Sequence, residues 1–313
     1  MAATRRAKVP ISDNLRGVLF MCGSMAAFTI NDTFMKAVTE EVPLFQTIFL
    51  RGLIAMAGLI VMGIATGAFR QRLNGADWRL IALRSVAEIF ATLTFLVALL
   101  HMPLANLSAI LQALPLAVTL AAALVFGDRI GWRRLTAILV GFAGVMIIIR
   151  PGTEAFDIWS LLGVTSVLCV VVRDLAVRRL GPHVPSVTVA MGAAVLVTAM
   201  GLGLSLVPTE GMGPDFDGLT GWVRLSPWQM AQVAGAGLFL IGGYIFAVTA
   251  MRWGDVGVVA PFRYTSLLWA IVLGFVVFGD WPDFWTLVGA SIVVGAGIFT
   301  LWREHALGRR TAR

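Results

Sequence analysis

Residues 31–43 read NDTFMKAVTEEVP, and residues 173–185 read RDLAVRRLGPHVP. Asn31-Asp32, Lys36 and Pro43 in the first stretch meet Arg173-Asp174, Arg178 and Pro185 in the second, each 142 positions on. Phe126-Gly127-Asp128 returns as Phe278-Gly279-Asp280, now 152 positions on, so ten residues have been added between the two matches in the second half. Residues 208–226, PTEGMGPDFDGLTGWVRLS, are polar and Gly-rich and accommodate the insertion. After one further residue of gap, Ala143-Gly144 pairs with Ala296-Gly297 and Arg150 with Arg303. Self-similarity on this scale is settled before any domain is drawn. The chain is a duplication.

Composition places both copies in a membrane. Hydrophobic residues make up 58% and charged residues 13% of the chain, against roughly 25% charged in soluble domains, and the mean hydropathy is +0.88. Runs of about 20 apolar residues suffice to cross a hydrocarbon core about 30 Å thick. Ten such runs are expected, near 15–37, 44–66, 78–101, 103–126, 132–149, 157–178, 185–207, 228–251, 255–278 and 283–302. Their length argues for helices rather than the short alternating strands of an outer-membrane barrel. The expected fold is an all-α integral membrane protein with ten transmembrane helices. Its segments are 1–14, a first repeat 15–150, a second repeat 151–302 carrying the polar loop at 208–226, and a basic tail 303–313. Five helices per repeat is an odd number, so the second repeat enters the membrane upside down. Two inverted halves related by an in-plane pseudo-two-fold axis are the geometry of alternating access.

The formal charge of +7 follows the topology. With the N-terminus cytoplasmic, 19 of the 24 Lys and Arg residues fall in cytoplasmic segments, while Lys36, Arg150 and Arg224 fall outside and Arg51 and Arg263 lie within spans. This positive-inside bias puts both termini in the cytoplasm and makes the basic ends topology signals rather than a nucleic-acid surface. The first apolar run exceeds a signal-peptide core and carries Asn31-Asp32, so a retained helix is expected. Cys22 and Cys169 both sit in apolar runs and offer neither a disulfide framework nor a metal site. No phosphate-binding loop, zinc-protease helix or serine-nucleophile elbow is present, and His101, His183 and His305 are far apart. The sequence implies no enzyme, no cofactor and no ATP-driven step. A lipid transferase would gather its polar residues at one interface, and a scaffold would not need them at mid-depth.

The Asn31-Asp32-x3-Lys36 end of the first helix, Arg51-Gly52 in the second, the Gly-Asp turns before the fifth and tenth and the Gly-rich final helices resemble the drug/metabolite transporter superfamily in its ten-helix EamA-type branch, over essentially the whole chain. The resemblance implies a multi-pass carrier of the bacterial inner membrane. A central cavity would be lined by helices one, three, four, six, eight and nine, with helices five and ten peripheral. Gly141, Gly144, Gly289, Gly295 and Gly297 suit close helix approach, either inside the fold or in a homodimer. In style the chain is most similar to the riboflavin and S-adenosylmethionine uptake branches. Riboflavin is the first expected substrate, with amino-acid or metabolite export as a further alternative.

Charges within spans are costly unless paired, hydrated or lining a cavity, which selects the candidate residues. Asp32 and Lys36 are four apart and form either an internal ion pair or, through Asp32, a proton-coupling or cation-contacting site near the outer gate. Asp174, the repeat mate of Asp32, reads as a gating or capping residue beside Arg173 and Arg178. Glu88 is either neutralised by Arg84 or Arg51, or serves as a carboxylate that takes up a proton during transport. The expected binding cluster lies in helix nine at Arg263, Tyr264, Ser266 and Trp269, facing Gln112 of helix four, with Thr92 from helix three. Tyr264 and Trp269 offer ring faces, Gln112 a donor and an acceptor, and Arg263 a partner for an anion, unless Arg263 is bridged to Glu88. Pro103, Pro115 and Pro261 interrupt the central helices.

Overall fold

A computed structural model describes residues 11–127, 131–153, 157–181, 183–207, 218–254 and 256–311. Among them, every regular element is helical and ten helices have the length and apolarity of a membrane span. They are α1 (Ile11–Val38), α2 (Leu44–Thr66), α3 (Gly75–His101), α4 (Leu104–Phe126), α5 (Trp132–Ile149), α6 (Trp159–Arg179), α7 (Ser186–Ser205), α8 (Pro227–Trp253), α9 (Ala260–Phe278) and α10 (Phe284–Thr311). Of the polar loop at 208–226, residues 208–217 lie outside the described residues, as do 1–10 and 312–313 of the two terminal segments. The helix of α10 continues through the first nine residues of the expected tail.

Local chemistry sets the ends of these helices. Asn74 and Asp77 form a reciprocal capping box that starts α3, and Ser226 with Gln229 does the same for α8, where Pro227 occupies the first turn. The repeated Phe-Gly-Asp motif closes α4 and α9. Gly127 and Gly279 take φ of 71° and 73°, the left-handed conformation that a helix C-terminus needs and that only glycine adopts without strain.

Packing partners obey a two-fold exchange. The symmetry swaps α1 with α6, α3 with α8, and α2, α4 and α5 with α7, α9 and α10. The largest contacts are α1 on α8, α3 on α6, α5 on α10 and α2 on α7, followed by α3 on α7, α2 on α8, α1 on α9 and α4 on α6, with α4 also meeting α9, and each pair is either its own mate or the mate of another in that set. The two halves are inverted repeats that interdigitate. Their shared core takes Leu107, Ile110 and Leu116 from α4, Ile138 from α5, Ala270 from α9 and Val293 from α10. The α5–α10 seam closes on backbone: a Cβ at Gly144 would lie 2.8 Å from the Gly289 carbonyl oxygen, so these glycines are used inside the fold. The outside is apolar, with Leu19, Val61, Ile64, Leu124 and Val276 exposed. Exposed Trp132, Trp228, Trp253, Trp281 and Trp302 mark the span ends as an aromatic belt does.

Candidate substrate site at the meeting of the two halves

Both central helices are broken at the same repeat position. In α4 the helix stops at Leu111, turns through Gln112-Ala113 and resumes at Leu114, because Pro115 in the new first turn can neither donate an N–H nor follow a continuous helix. In α9, Pro261 sits in a 3₁₀ turn, Ala260–Tyr264, before the α-helical stretch from Thr265 to Leu273. Gln112 and Tyr264 are repeat mates, so the breaks coincide. Discontinuous helices at the repeat interface are where carriers of this architecture place substrate and ions. Across the junction the buried Gln112 Nε2 donates to Ser266 Oγ at 2.9 Å, joining the two halves.

Toward the side of the chain termini lies a charge cluster. Glu88 is held between two guanidiniums: Arg84 Nη2 at 3.4 Å, one turn away on α3, and Arg173 Nη1 of α6 at 3.3 Å from each carboxylate oxygen. Arg173 also donates through Nε to Asp174 Oδ1 at 2.9 Å. Arg263, near the start of α9, has an exposed side chain. Among the described residues it makes no ion pair within 4 Å, and the bridge to Glu88 considered from sequence is absent. Arg84 and Arg173 occupy that carboxylate instead.

The other half of the depth is tightly buried. Arg51 Nη1 donates to Asn31 Oδ1 at 3.3 Å, and Asn31 Nδ2 donates on to Asp32 Oδ1 at 2.8 Å. Asp32 thus relates to Arg51 through Asn31, and the i, i+4 pair with Lys36 does not form. Lys36 points away, donating to the Met102 carbonyl at 2.8 Å and approaching Asp280 Oδ2 at 3.5 Å, with its ammonium 5.0 Å from the centre of the Phe278 ring. Its repeat mate Arg178 sits 4.7 Å from the centre of the Phe126 ring on the opposite side of the membrane. Asp128, the mate of Asp280, lies outside the described residues.

The ring faces of Tyr264 and Trp269 do not share one surface. Five residues apart on a helix are about 140° apart in azimuth, and the side chains diverge. Tyr264 is buried with its hydroxyl against Gly297 of α10, where a side chain would overlap it. Trp269 is 39% exposed, and Thr92 is half-buried on α3 one turn beyond Glu88. Hence Gln112 meets Ser266, not Tyr264. Sequence reasoning missed Arg173 as the second clamp on Glu88 and the Lys36–Asp280 latch. The signal that points to this pair is the repeat itself, since Lys36 and Asp280 both lie in its matched motifs.

Two inverted five-helix halves, broken central helices and polar groups converging at the break define a membrane carrier. The EamA-like transporter family matches residues 15–150 and again 157–302, and the chain belongs to that family. It is therefore a multi-pass transporter of a small molecule and not an enzyme. A riboflavin transporter of Vibrio cholerae is 27% identical over 306 residues, covering 95% of this chain and 96% of that protein. An S-adenosylmethionine uptake transporter of Rickettsia prowazekii is 20% identical over 293 residues, covering 93% and 94%. A pseudopaline exporter of Pseudomonas aeruginosa is 22% identical over 283 residues, covering 90% and 94%. A solved crystal structure superposes with a TM-score of 0.61 at 19% identity over 92% of this chain and 97% of its own, which supports the fold.

Proposed function

We propose that this protein is a secondary carrier that moves a small organic metabolite across the bacterial inner membrane by alternating access, with both termini cytoplasmic. The observation that carries the reading is the junction of the broken helices α4 and α9, where Gln112 and Ser266 meet across the repeat interface. Energy would come from a proton or substrate gradient, with Asp32, Glu88, Arg51 and Asp174 as the coupling or gating groups. Riboflavin is the first substrate to try, on the strength of its relatives. A flavin ring would lie on the exposed face of Trp269, and its ribityl hydroxyls would reach Gln112, Ser266 and Thr92. S-adenosylmethionine uptake is the alternative from the same group, its cationic portion falling to Asp32 or Glu88. A second reading, an organic anion, is favoured by Arg263, which among the described residues makes no ion pair within 4 Å. A homodimer would have to use surfaces other than Gly144 and Gly289, which α5 and α10 bury against each other.

The test is uptake by purified protein in liposomes, with labelled riboflavin, S-adenosylmethionine and mixed amino acids in parallel, each against vesicles preloaded with the same compound. Saturable counterflow of one compound supports the carrier and names its substrate class. Riboflavin silence with another compound moving removes the flavin reading only. Glu88→Gln then separates coupling from binding: retained exchange with lost pH-driven accumulation supports proton coupling at Glu88.

A further inference from the structure

Two small apolar clusters stand apart from the shared core, one toward each face of the membrane. On the side of the chain termini Ile81 of α3 packs with Val184 of the α6–α7 turn, with Leu180 against them. On the opposite side Val233 of α8 packs with Val42 of the α1–α2 turn and with Val38. The members are repeat mates: Ile81 and Val233 at an offset of 152, Val184 and Val42 as well as Leu180 and Val38 at 142. Beside each cluster a polar contact ties one half to the other. Asp77, one turn before Ile81 in the capping box of α3, lies 2.9 Å through Oδ2 from His183 Nε2 in the α6–α7 turn. Gln229, one turn before Val233 in the capping box of α8, donates from Nε2 to Glu41 Oε2 at 2.6 Å in the α1–α2 turn. Asp77 and Gln229 are mates at 152, and His183 and Glu41 at 142. Rocking one half against the other pulls α3 from the α6–α7 turn to open the terminus side, and α8 from the α1–α2 turn to open the other.

The two straps differ in one property. A carboxylate and an amide ordinarily keep their charges between about pH 5 and 8, whereas an imidazole changes its charge there. A neutral ring donates from Nε2 in only one tautomer; the imidazolium always does, and its bond to a carboxylate is charge-assisted. Resting on the carrier reading, we infer that His183–Asp77 is a pH-sensitive strap that holds the terminus side closed and tightens as that side acidifies, while Glu41–Gln229 holds the opposite side with no such dependence. The other charges on the segments that meet His183 are arginines: Arg70 and Arg72 before α3, Arg79 and Arg84 on α3, Arg178 and Arg179 at the end of α6, with none on α7. Arg84 is engaged by Glu88 and the Val189 carbonyl, and Arg178 and Arg179 lie against the Phe126 ring. Arg70, Arg72 and Arg79 are exposed, where salt screens them. Asp77 is 7% exposed and, among the described residues, has no ion-pair partner within 4 Å besides His183. The direct contact therefore outweighs the screened arginines. Because the closed state holds the proton better, the strap is strongest below the ordinary imidazole value of about 6.5 and weakens as pH rises through it.

The experiment reads opening at each face in the full-length protein in lipid nanodiscs, with Cys22 and Cys169 replaced by serine. Ser85→Cys reports the terminus side: Ser85 is 1% exposed, its Oγ has no hydrogen-bond partner, and it packs against Gly192 of α7, so a thiol there reacts with a maleimide when α3 parts from α7. His183→Gln puts on this face the amide–carboxylate chemistry of its mate, and the rate ratio of this variant to the parent at one pH cancels the thiol's own ionisation. The ratio should lie near one at about pH 8 and rise about two- to fivefold at about pH 5.5, the factor a partly exposed ion pair supplies. Asp77→Asn should give the same profile. Gln229→His, read by Val233→Cys on the opposite face, should acquire the dependence there against Glu41, a gain that misfolding does not produce. A His183→Gln ratio that stays flat, or that falls in acid, overturns the inference. A flat Gln229→His profile overturns the equivalence of the two straps. Counterflow judges the carrier reading separately: a pH-dependent strap without transport of any compound removes the carrier and keeps the switch, and transport with a flat ratio does the reverse.

Discussion

Asp280→Asn should release one gate by a calculable amount. Lys36 and Asp280 lie 3.5 Å apart with side chains 13% and 35% exposed, so the pair sits between a surface bridge and a buried one. Partly exposed pairs contribute about 0.5–1 kcal/mol. The amide removes that attraction while leaving Lys36 over Phe278 and bonded to the Met102 carbonyl. If the latch holds the carrier closed on the side opposite the termini, the population open to that side rises about two- to fivefold, since 1.4 kcal/mol is a factor of ten. Thr92→Cys in a background with Cys22 and Cys169 replaced by serine, labelled with an impermeant thiol reagent added on that side, reports the population as a rate. Asp280→Asn should speed labelling two- to fivefold, and high salt should shrink the difference by screening the parent pair. Lys36→Gln should exceed it, because the cation–π contact is lost too. The charge swap Lys36→Asp with Asp280→Lys should return the rate toward the parent value. Labelling in Asp280→Asn that is unchanged or slower, with a swap no different from either single variant, would refute the latch.

Gly289→Ala should separate α5 from α10, because its Cβ would meet the Gly144 carbonyl oxygen at 2.6 Å and backbone cannot step aside; a cost of about 1–3 kcal/mol should lower the thermal inactivation temperature in detergent, whereas Gly295→Ala, with open space around it, should leave it unchanged. Arg51→Leu strands the Asp32 carboxylate, and breaking one side of a buried charge pair costs about 3–5 kcal/mol. The double variant Arg51→Leu with Asp32→Asn should therefore express and melt better than Arg51→Leu alone, and the opposite order would refute the Arg51–Asn31–Asp32 relay. Asp283, outside the spans, is pushed up by burial but held below the ordinary carboxylate value overall by Arg150 and the Thr286 amide. A depressed carboxyl contributes stability above its unfolded value near 3.9 and loses it as pH falls through the folded value. The wild type should therefore converge on Asp283→Asn in melting temperature between about pH 5 and 3, and a constant gap across that range would exclude the Arg150–Asp283 bond as the cause.

What the sequence disclosed follows from which interactions are local. Span length, capping boxes at Asn74 and Ser226 and the glycines that close α4 and α9 depend on residues within a turn of one another, so the ten helices could be drawn before the structure was seen. Register between helices is different. Asp32 and Lys36 are neighbours on one helix face, and the i, i+4 rule pairs them; that rule holds for Arg84 and Glu88, yet packing adds or substitutes partners from elsewhere in the chain. Lys36 finds Asp280, Glu88 finds Arg173, and Asp32 reaches Arg51 through Asn31. Tyr264 and Trp269 part for the same reason: consecutive letters in α9 scatter around a helix, and the turn of Tyr264 toward Gly297 depends on where α10 lies. The duplication was the one non-local signal in the chain, and it extends to contacts between the halves. Lys36 of the first repeat sits over Phe278 of the second, and Arg178 of the second sits over Phe126 of the first. A cation that ends the first helix of each half is thus matched to the Phe-Gly-Asp turn of the opposite half. Inversion puts one such contact on each face of the membrane, where a carrier needs its two gates.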